Sequence, residues 1–266
     1  MGAGSSLGRI ALRVATALIL AFIYVPLALI VLYAFNTNLV ATWPIRGLTL
    51  EWFMRAIDNS GVRAAFLSSV TAGLGATGVA LVLGSLTALA VHRFSFFGRE
   101  AISFLVVLPI ALPGIVTGIA LSSAIGTFGF GFGMATVIVG HATFCVVLVY
   151  NNAIARLRRS SRSIEEASMD LGADSFQTFR WITFPVIRSA LLAGGLLAFA
   201  LSFDEIIVTT FTAGGVQTLP IWIFNNYKLA NQAPIVNVVA LFAIVLSVIP
   251  VYIASRVAGS ESATIR

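Results

Sequence analysis

The sequence predicts an all-α membrane protein with six transmembrane helices, and two observations carry that prediction. The 266-residue chain is 59% hydrophobic and only 10% charged, with a mean hydropathy of +1.00, where a soluble domain carries about 25% charge. Six apolar runs, near 14–35, 64–91, 101–125, 132–152, 188–212 and 235–255, are each long enough to cross a hydrocarbon core of ~30 Å. Only helices and closed barrels satisfy every backbone group in lipid, and continuous runs of this length specify helices. The runs define a single membrane domain over residues 1–266, with a polar loop at 153–187.

Positive charges orient the spans. Arg9, Arg13, Arg93, Arg99, Arg156, Arg158, Arg159, Arg162, Arg180, Arg188, Arg256 and Arg266 fall on one side, and Arg46, Arg55, Arg63 and Lys228 on the other. Twelve against four places both termini and the 153–187 loop in the cytoplasm. The net charge of +6 thus reports topology and contact with anionic lipid headgroups. It does not point to nucleic acid, because the arginines are scattered over short loops.

The first span follows Arg9 and Arg13 as a signal peptide would, yet its apolar run of ~22 residues exceeds the usual h-region and no small-x-small site follows. It is expected as an uncleaved helix. In the external loop 36–63, Trp43, Trp52 and Phe53 suit an interfacial belt. Thr49 to Asp58 reads as a short helix lying flat, with Trp52, Phe53 and Ile57 toward the bilayer. Two roles stay open for this loop, plain anchoring and a seat for an external binding protein.

Ser69 with Gly73, and Gly84 with Ala88, are small-x3-small pairs that let helix backbones approach in the second span. Pro109 and Pro113-Gly114 interrupt the third and predict a kink, which either lines a cavity or is a structural bend. The alternating Phe128 to Gly133 has no strand before it and no acidic partner after it, so it reads as a tight external turn. In the fourth span His141 is expected as a hydrogen-bonded core residue, with Tyr150, Asn151 and Asn152 near the cytoplasmic mouth. Trp222, Asn225, Asn226 and Tyr227 belong to the last external loop, and Asn237 opens the sixth span. Trp222 and Tyr227 suit either stacking on a cation or anchoring at the interface.

The 153–187 loop has the local chemistry of a helix–turn–helix. Ser163 and Glu166 form a capping-box pattern, and Ile164, Ala167, Ser168 and Leu171 follow on one helical face. Gly172 suits the left-handed residue that ends a helix. Asp174 with Gln177 opens a second helix, and Pro185 disfavours helix at Phe184. Taken alone, these features also fit an amphipathic connector resting on the membrane surface.

The fifth span holds the sharpest chemical signal, Asp204-Glu205. At 1.5 Å per residue Asp204 lies ~24 Å along from Arg188, in the outer part of the bilayer. An ionisable group at mid-membrane costs about 2.5–3.5 kcal/mol, so it faces a cavity or a partner. Ser202, Glu205, Thr209 and Thr212 recur at i, i+3, i+7 and i+10. This stripe puts Glu205 on the pathway and Asp204, rotated ~100°, at its margin. No intramembrane lysine or arginine of the chain neutralises them. The complement is a cationic solute or a basic group of a second subunit.

The segment Glu166-Ala167-Ser168-x3-Gly172-x9-Ile182-x-Phe184-Pro185 resembles the cytoplasmic coupling loop of ABC-importer permeases, E-A-A-x3-G-x9-I-x-L-P. Five fixed positions agree, and Ser168 and Phe184 depart conservatively. Such agreement arises by chance about once in 10^5 windows at average residue usage. The resemblance implies that Glu166, Ala167, Ser168, Gly172, Ile182 and Pro185 couple the chain to a separate ATPase. Leu201 to Glu205, Thr218 to Ile223, and Gln232-Ala233-Pro234-x2-Asn237 narrow the likeness to spermidine/putrescine permeases, over essentially the whole chain.

This resemblance implies the type I ABC-importer permease fold in a prokaryotic plasma membrane. It implies a second homologous permease in a heterodimer, two ATP-binding subunits that bind ATP-Mg, and an extracytoplasmic binding protein. Asp204, Glu205, Ser202, Thr209 and Trp222 are then the expected pathway residues, for a polyamine or for another solute such as an opine, an amino-acid derivative or a metal ion.

The remaining chemistry excludes more than it offers. The only lysine is Lys228, so no G-x4-G-K-[ST] phosphate loop exists here. No His-Asp pair marks a catalytic site, and the Gly4-x-Ser6-x-Gly8 string precedes the first apolar run with no strand before it, unlike a nucleophile turn. One cysteine, Cys145, without a Cys-His cluster predicts no metal site and no cofactor in this chain. An ion-coupled secondary transporter also carries buried carboxylates, but usually in a larger bundle with internal repeats.

Overall fold

A computed structural model of the chain describes residues 6–40, 42–229 and 231–263; Arg266, counted above with the cytoplasmic charges, lies outside them. Among the described residues the regular structure is helical, apart from one isolated antiparallel bridge between Asn36 and Leu48. The chain divides into two compact units, Met1–Val62 with Ile223–Ile244, and Arg63–Trp222 with Val245–Arg266.

In the first unit, α1 (Ser6–Ala34) is a 29-residue apolar helix whose side chains from Ile10 to Leu32 stay open apart from half-buried Leu27 and Ile30, as a lipid-facing helix requires. Beyond it, Thr49 N–H donates to Phe35 O at 2.7 Å and Thr37 N–H to Gly47 O at 3.1 Å. These bonds fold the following loop back onto the helix end. The short helix foreseen at 49–58 is α2 (Glu51–Asp58), but Trp52 does not face outward. It is 5% exposed, and its indole N–H donates to Asn36 O at 2.7 Å. A buried indole needs such an acceptor, and the end of α1 leaves a free carbonyl within reach. Phe53 packs on Phe35 at 4.9 Å and edge-on to Phe242 at 6.2 Å, while Ile57 remains exposed.

The second unit holds most of the apolar helices. In order these are α3 (Ser60–Arg93), α4 (Arg99–Ala111), α5 (Gly114–Thr127), α6 (Met134–Leu157), α7 (Arg162–Asp170), α8 (Ser175–Thr178), a π turn (Phe179–Thr183), α9 (Phe184–Phe203) and α10 (Ile207–Thr212). Next come α11 (Leu219–Asn226) and α12 (Ala233–Ala263). Its core lies between α3, α6 and α9, around Ala76, Ala80, Cys145, Val149 and Ala198. Small residues dominate because lipid removes the hydrophobic drive between helices, leaving close van der Waals contact to hold them. At Gly84 a Cβ would sit 2.9 Å from Val149 Cβ and 3.0 Å from Val146 O, so no larger residue permits this approach. The Ser69/Gly73 pair foreseen in α3 is also at contacts: the Ser69 hydroxyl accepts Leu219 N–H at 2.8 Å, and Gly73 abuts Phe199.

Among the described residues five single helices are long and apolar enough to cross a membrane, and α4 with α5 forms a sixth candidate bent by 108°. Two of the foreseen spans are therefore corrected. In the run at 101–125 the kink foreseen at Pro113-Gly114 is a full break into two helices at Leu112-Pro113, where Pro113 cannot donate to the helix. The run at 188–212 starts earlier and stops sooner. Helix continues from Ser175 through Pro185 to Phe203, then breaks before α10. Pro185 does not end the helix at Phe184 because the preceding turn widens: Phe184 N–H reaches back five residues to Phe179 O. A π turn of this kind absorbs the proline misfit.

Candidate functional site

The pattern in the 153–187 loop folds into α7 and α8 joined by a tight turn. Ser161, not Ser163, caps α7, accepting Ser163 N–H at 3.3 Å. The foreseen Ser163/Glu166 box is not formed. Ser163 lies inside the first turn, and Glu166 instead faces Arg162 at 3.5 Å on the surface. Gly172 has φ +92°, and around it Gly172 N–H donates to Met169 O at 2.9 Å and Ala173 N–H to Ser168 O at 3.1 Å. That is a Schellman closure, which needs a left-handed residue. Asp174 and Gln177 form the foreseen capping box: Asp174 Oδ1 accepts Phe176 and Gln177 N–H at 2.8 Å, and Gln177 Oε1 accepts Asp174 N–H at 2.9 Å.

One side of this element is tied to the long helices. Thr183 Oγ1 donates to Glu165 Oε1 at 2.7 Å, and the Ser168 and Thr178 hydroxyls meet at 3.2 Å. Arg93 reaches Met169 Sδ at 3.8 Å, and Arg156 Nε donates to Val186 O at 3.0 Å. The other side is open and apolar: Ile164, Leu171, Phe176 and Trp181 are exposed, as are Ala167 and Pro185, with Ile182 half-buried. An outward apolar face linked to span helices can take up a push from another protein and pass it on. Glu165 and Thr183 were not singled out from the sequence, since their contact spans 18 residues and only Glu166 belongs to the motif.

The carboxylates foreseen in the fifth span sit at the break between α9 and α10. Glu205 Oε1 accepts Val208 N–H at 2.9 Å, so it caps α10 and satisfies one of its orphan amides. Asp204 is exposed, and its carboxylate accepts no hydrogen bond among the described residues.

Ser202, Thr209 and Thr212 are buried against α6 instead of lining an opening in this chain. His141 bridges two of them, Nδ1 to Ser202 Oγ at 2.7 Å and Nε2 to Thr209 Oγ1 at 2.7 Å. Thr209 gives its own hydroxyl proton to Glu205 O at 2.8 Å. It must then accept from His141, which places the imidazole proton on Nε2 and lets Nδ1 accept from Ser202. The core role foreseen for His141 is the one observed.

A second break lies beside the first. At Gly114, the first residue of α5, a Cβ would be 3.6 Å from Ile207 Cγ2, the first residue of α10. One turn on, a Cβ at Gly118 would meet Phe211 at 2.6 Å. The starts of two half-helices therefore pack together next to Asp204. Trp222 lies in α11 and not in a loop, and it is buried.

The comparisons with known proteins agree with this architecture. The family model described as "Binding-protein-dependent transport system inner membrane component" matches residues 80–259. The putrescine transport system permease protein PotI of Escherichia coli (strain K12) is 35% identical over 229 residues, covering 82% of this chain and 80% of the relative. The spermidine/putrescine transport system permease protein PotC of the same strain is 30% identical over 246 residues, covering 92% of each. A chain in the crystal structure of a bacterial ABC transporter that imports the acidic polysaccharide alginate superposes with a TM-score of 0.68. At 17% identity over 98% of this chain and 99% of that one, it speaks for the fold alone. The protein is a multi-pass permease subunit of an ABC importer, belonging to the family of binding-protein-dependent transport system inner membrane components.

Proposed function

We propose that this permease pairs with a second, homologous permease to form the translocation path for a polyamine of the putrescine or spermidine class. The observation that carries the solute class is the open carboxylate of Asp204 at paired helix breaks, in a chain whose relatives are named for putrescine and spermidine. Irregular backbone at membrane depth persists only inside protein or along a water-filled cavity. A carboxylate placed there is a natural partner for an ammonium group. Glu205 holds the start of α10, His141 with Ser202 and Thr209 keeps both half-helices in place, and buried Trp222 supports the wall.

Energy comes from outside the chain. Of two ATP-binding subunits, which hold ATP-Mg, one docks on the open face of Ile164, Leu171 and Phe176, with Glu166 and Ala167 on the same helix. Gly172 fixes the turn, and Ile182 and Pro185 lie at the base. An extracytoplasmic binding protein delivers the solute, and both termini lie in the cytoplasm. The test is reconstitution of this permease with its partner permease, ATPase and binding protein in liposomes. ATP-dependent uptake of labelled putrescine or spermidine is the expected result; transport of a neutral sugar with no competition from either amine contradicts the proposal.

A further inference from the structure

Behind α7, the end of α3, the end of α6 and the π turn enclose a cleft of about 450 Å³, within the size range of sites for small molecules. Its walls are apolar, with Leu86, Leu89, Leu157 and Phe179 among them, and His92 and Arg93 stand at its rim. Arg99, Arg158 and Arg162 all lie within electrostatic reach of His92. Among the described residues Glu165 is the one carboxylate lining the cleft, and it already accepts the Thr183 hydroxyl at 2.7 Å. Arg93 and His92 therefore stand over an apolar slot at the end of a helix that is long enough to cross a membrane, with Arg99 and Arg158 near His92 and Arg162 paired to Glu166 at 3.5 Å.

This combination has a specific complement. An apolar ligand alone would bring no anion to the basic rim, and a free phosphate would leave the slot empty. A phosphate joined to an acyl chain satisfies both, and basic pockets between spans on the cytoplasmic side bind anionic lipid headgroups. We propose that the cleft is a binding site for an anionic glycerophospholipid, its phosphate at Arg93 and the neighbouring arginines and one acyl chain along Leu86 and Leu89. Arg93 also touches Met169 of α7, so an occupied site braces the helix that carries the open apolar face. The site does not depend on which solute is carried or which ATPase docks.

The full-length permease, purified in mild detergent, is mixed with phosphatidylglycerol or with phosphatidylcholine of the same chains, and retained lipid is read by native mass spectrometry. At least fivefold preference for phosphatidylglycerol is expected. Arg93→Gln should lower its retention at least fivefold, and Leu89→Trp, which fills the slot, should do the same. Arg93 is on the rim, so its variant keeps the fold even if the tryptophan does not fit. Equal retention of the two lipids, or no change in Arg93→Gln, overturns the proposal. Displacement of the lipid by glycerol 3-phosphate as readily as by phosphatidylglycerol also overturns it, pointing to a bare anion site. In membranes, a phosphatidylglycerol with a photoreactive acyl chain should label the peptide containing Leu86 and Leu89. Labelling confined to α1 would place the lipid elsewhere. These readouts need no transport, so they can fail while the transport proposal stands.

Discussion

His141 on α6 and Thr209 on α10 meet at 2.7 Å, and the same imidazole holds Ser202 at the end of α9 at 2.7 Å. One buried ring thereby links both sides of the break that presents Asp204. The arrangement uses both nitrogens and leaves neither hydroxyl without a partner, which matters where water is excluded.

Replacing that ring is the first test. His141→Leu fills the space with an apolar side chain and leaves the Ser202 and Thr209 hydroxyls without the imidazole. We expect a loss of about 1–3 kcal/mol, more than the ~0.6 kcal/mol typical of a single hydrogen bond between membrane helices. Thermal melting of the purified permease measures it, and uptake should fall in parallel.

Asp204 and Glu205 should separate in their effects. Asp204→Asn removes the charge of the open carboxylate, and polyamine uptake is expected to drop at least tenfold with assembly intact. Glu205→Gln retains an oxygen able to accept Val208 N–H, so a milder defect is expected. Periodicity along an unbroken helix suggested the reverse order, and the cap at Val208 is the reason to invert it. Uptake measured beside co-purification of the subunits distinguishes a transport defect from loss of a partner held by these carboxylates.

Gly172→Asp forces a side chain into φ +92°, at a cost of about 1–2 kcal/mol for a left-handed residue. The turn between α7 and α8 should distort while the spans stay inserted. Stimulated ATP hydrolysis and uptake are expected to be lost together; unchanged coupling in this variant and in Glu166→Lys would refute docking at α7.

The strut behind α7 can be tested apart from its docking face. Thr183→Val deletes the hydroxyl that donates to Glu165 and preserves shape. The ATPase should still co-purify, while uptake per ATP hydrolysed decreases several-fold. Undiminished coupling would show that Glu165 and Thr183 serve local stability only.

Orientation follows from charge and is checked by labelling. A cysteine at Ser160 should react only from the cytoplasmic side, and cysteines at Ile45 or Asn225 only from outside. Cys145 is buried and should stay silent in the parent protein. Reaction at position 160 in intact cells would reverse the topology.

Membrane class, the approximate positions of the apolar helices and the turn chemistry at Gly172 and Asp174–Gln177 were legible in the sequence, because each depends on composition or on residues a few positions apart. The capping of Glu205, the inward turn of Trp52 and the His141 bridge were not. For the last two the partners are distant in sequence and meet only once the chain has packed, 61 and 68 residues away for His141 and 16 for Trp52. The polar stripe along the fifth span shows why local periodicity misleads there. It carries a 3.6-residue phase through residues 204–206, where the chain leaves the helix, and a break resets the phase. Sequence decided that carboxylates would stand in the fifth apolar run; packing of α6 and α5 against the broken helix decided that Asp204 is the one left open.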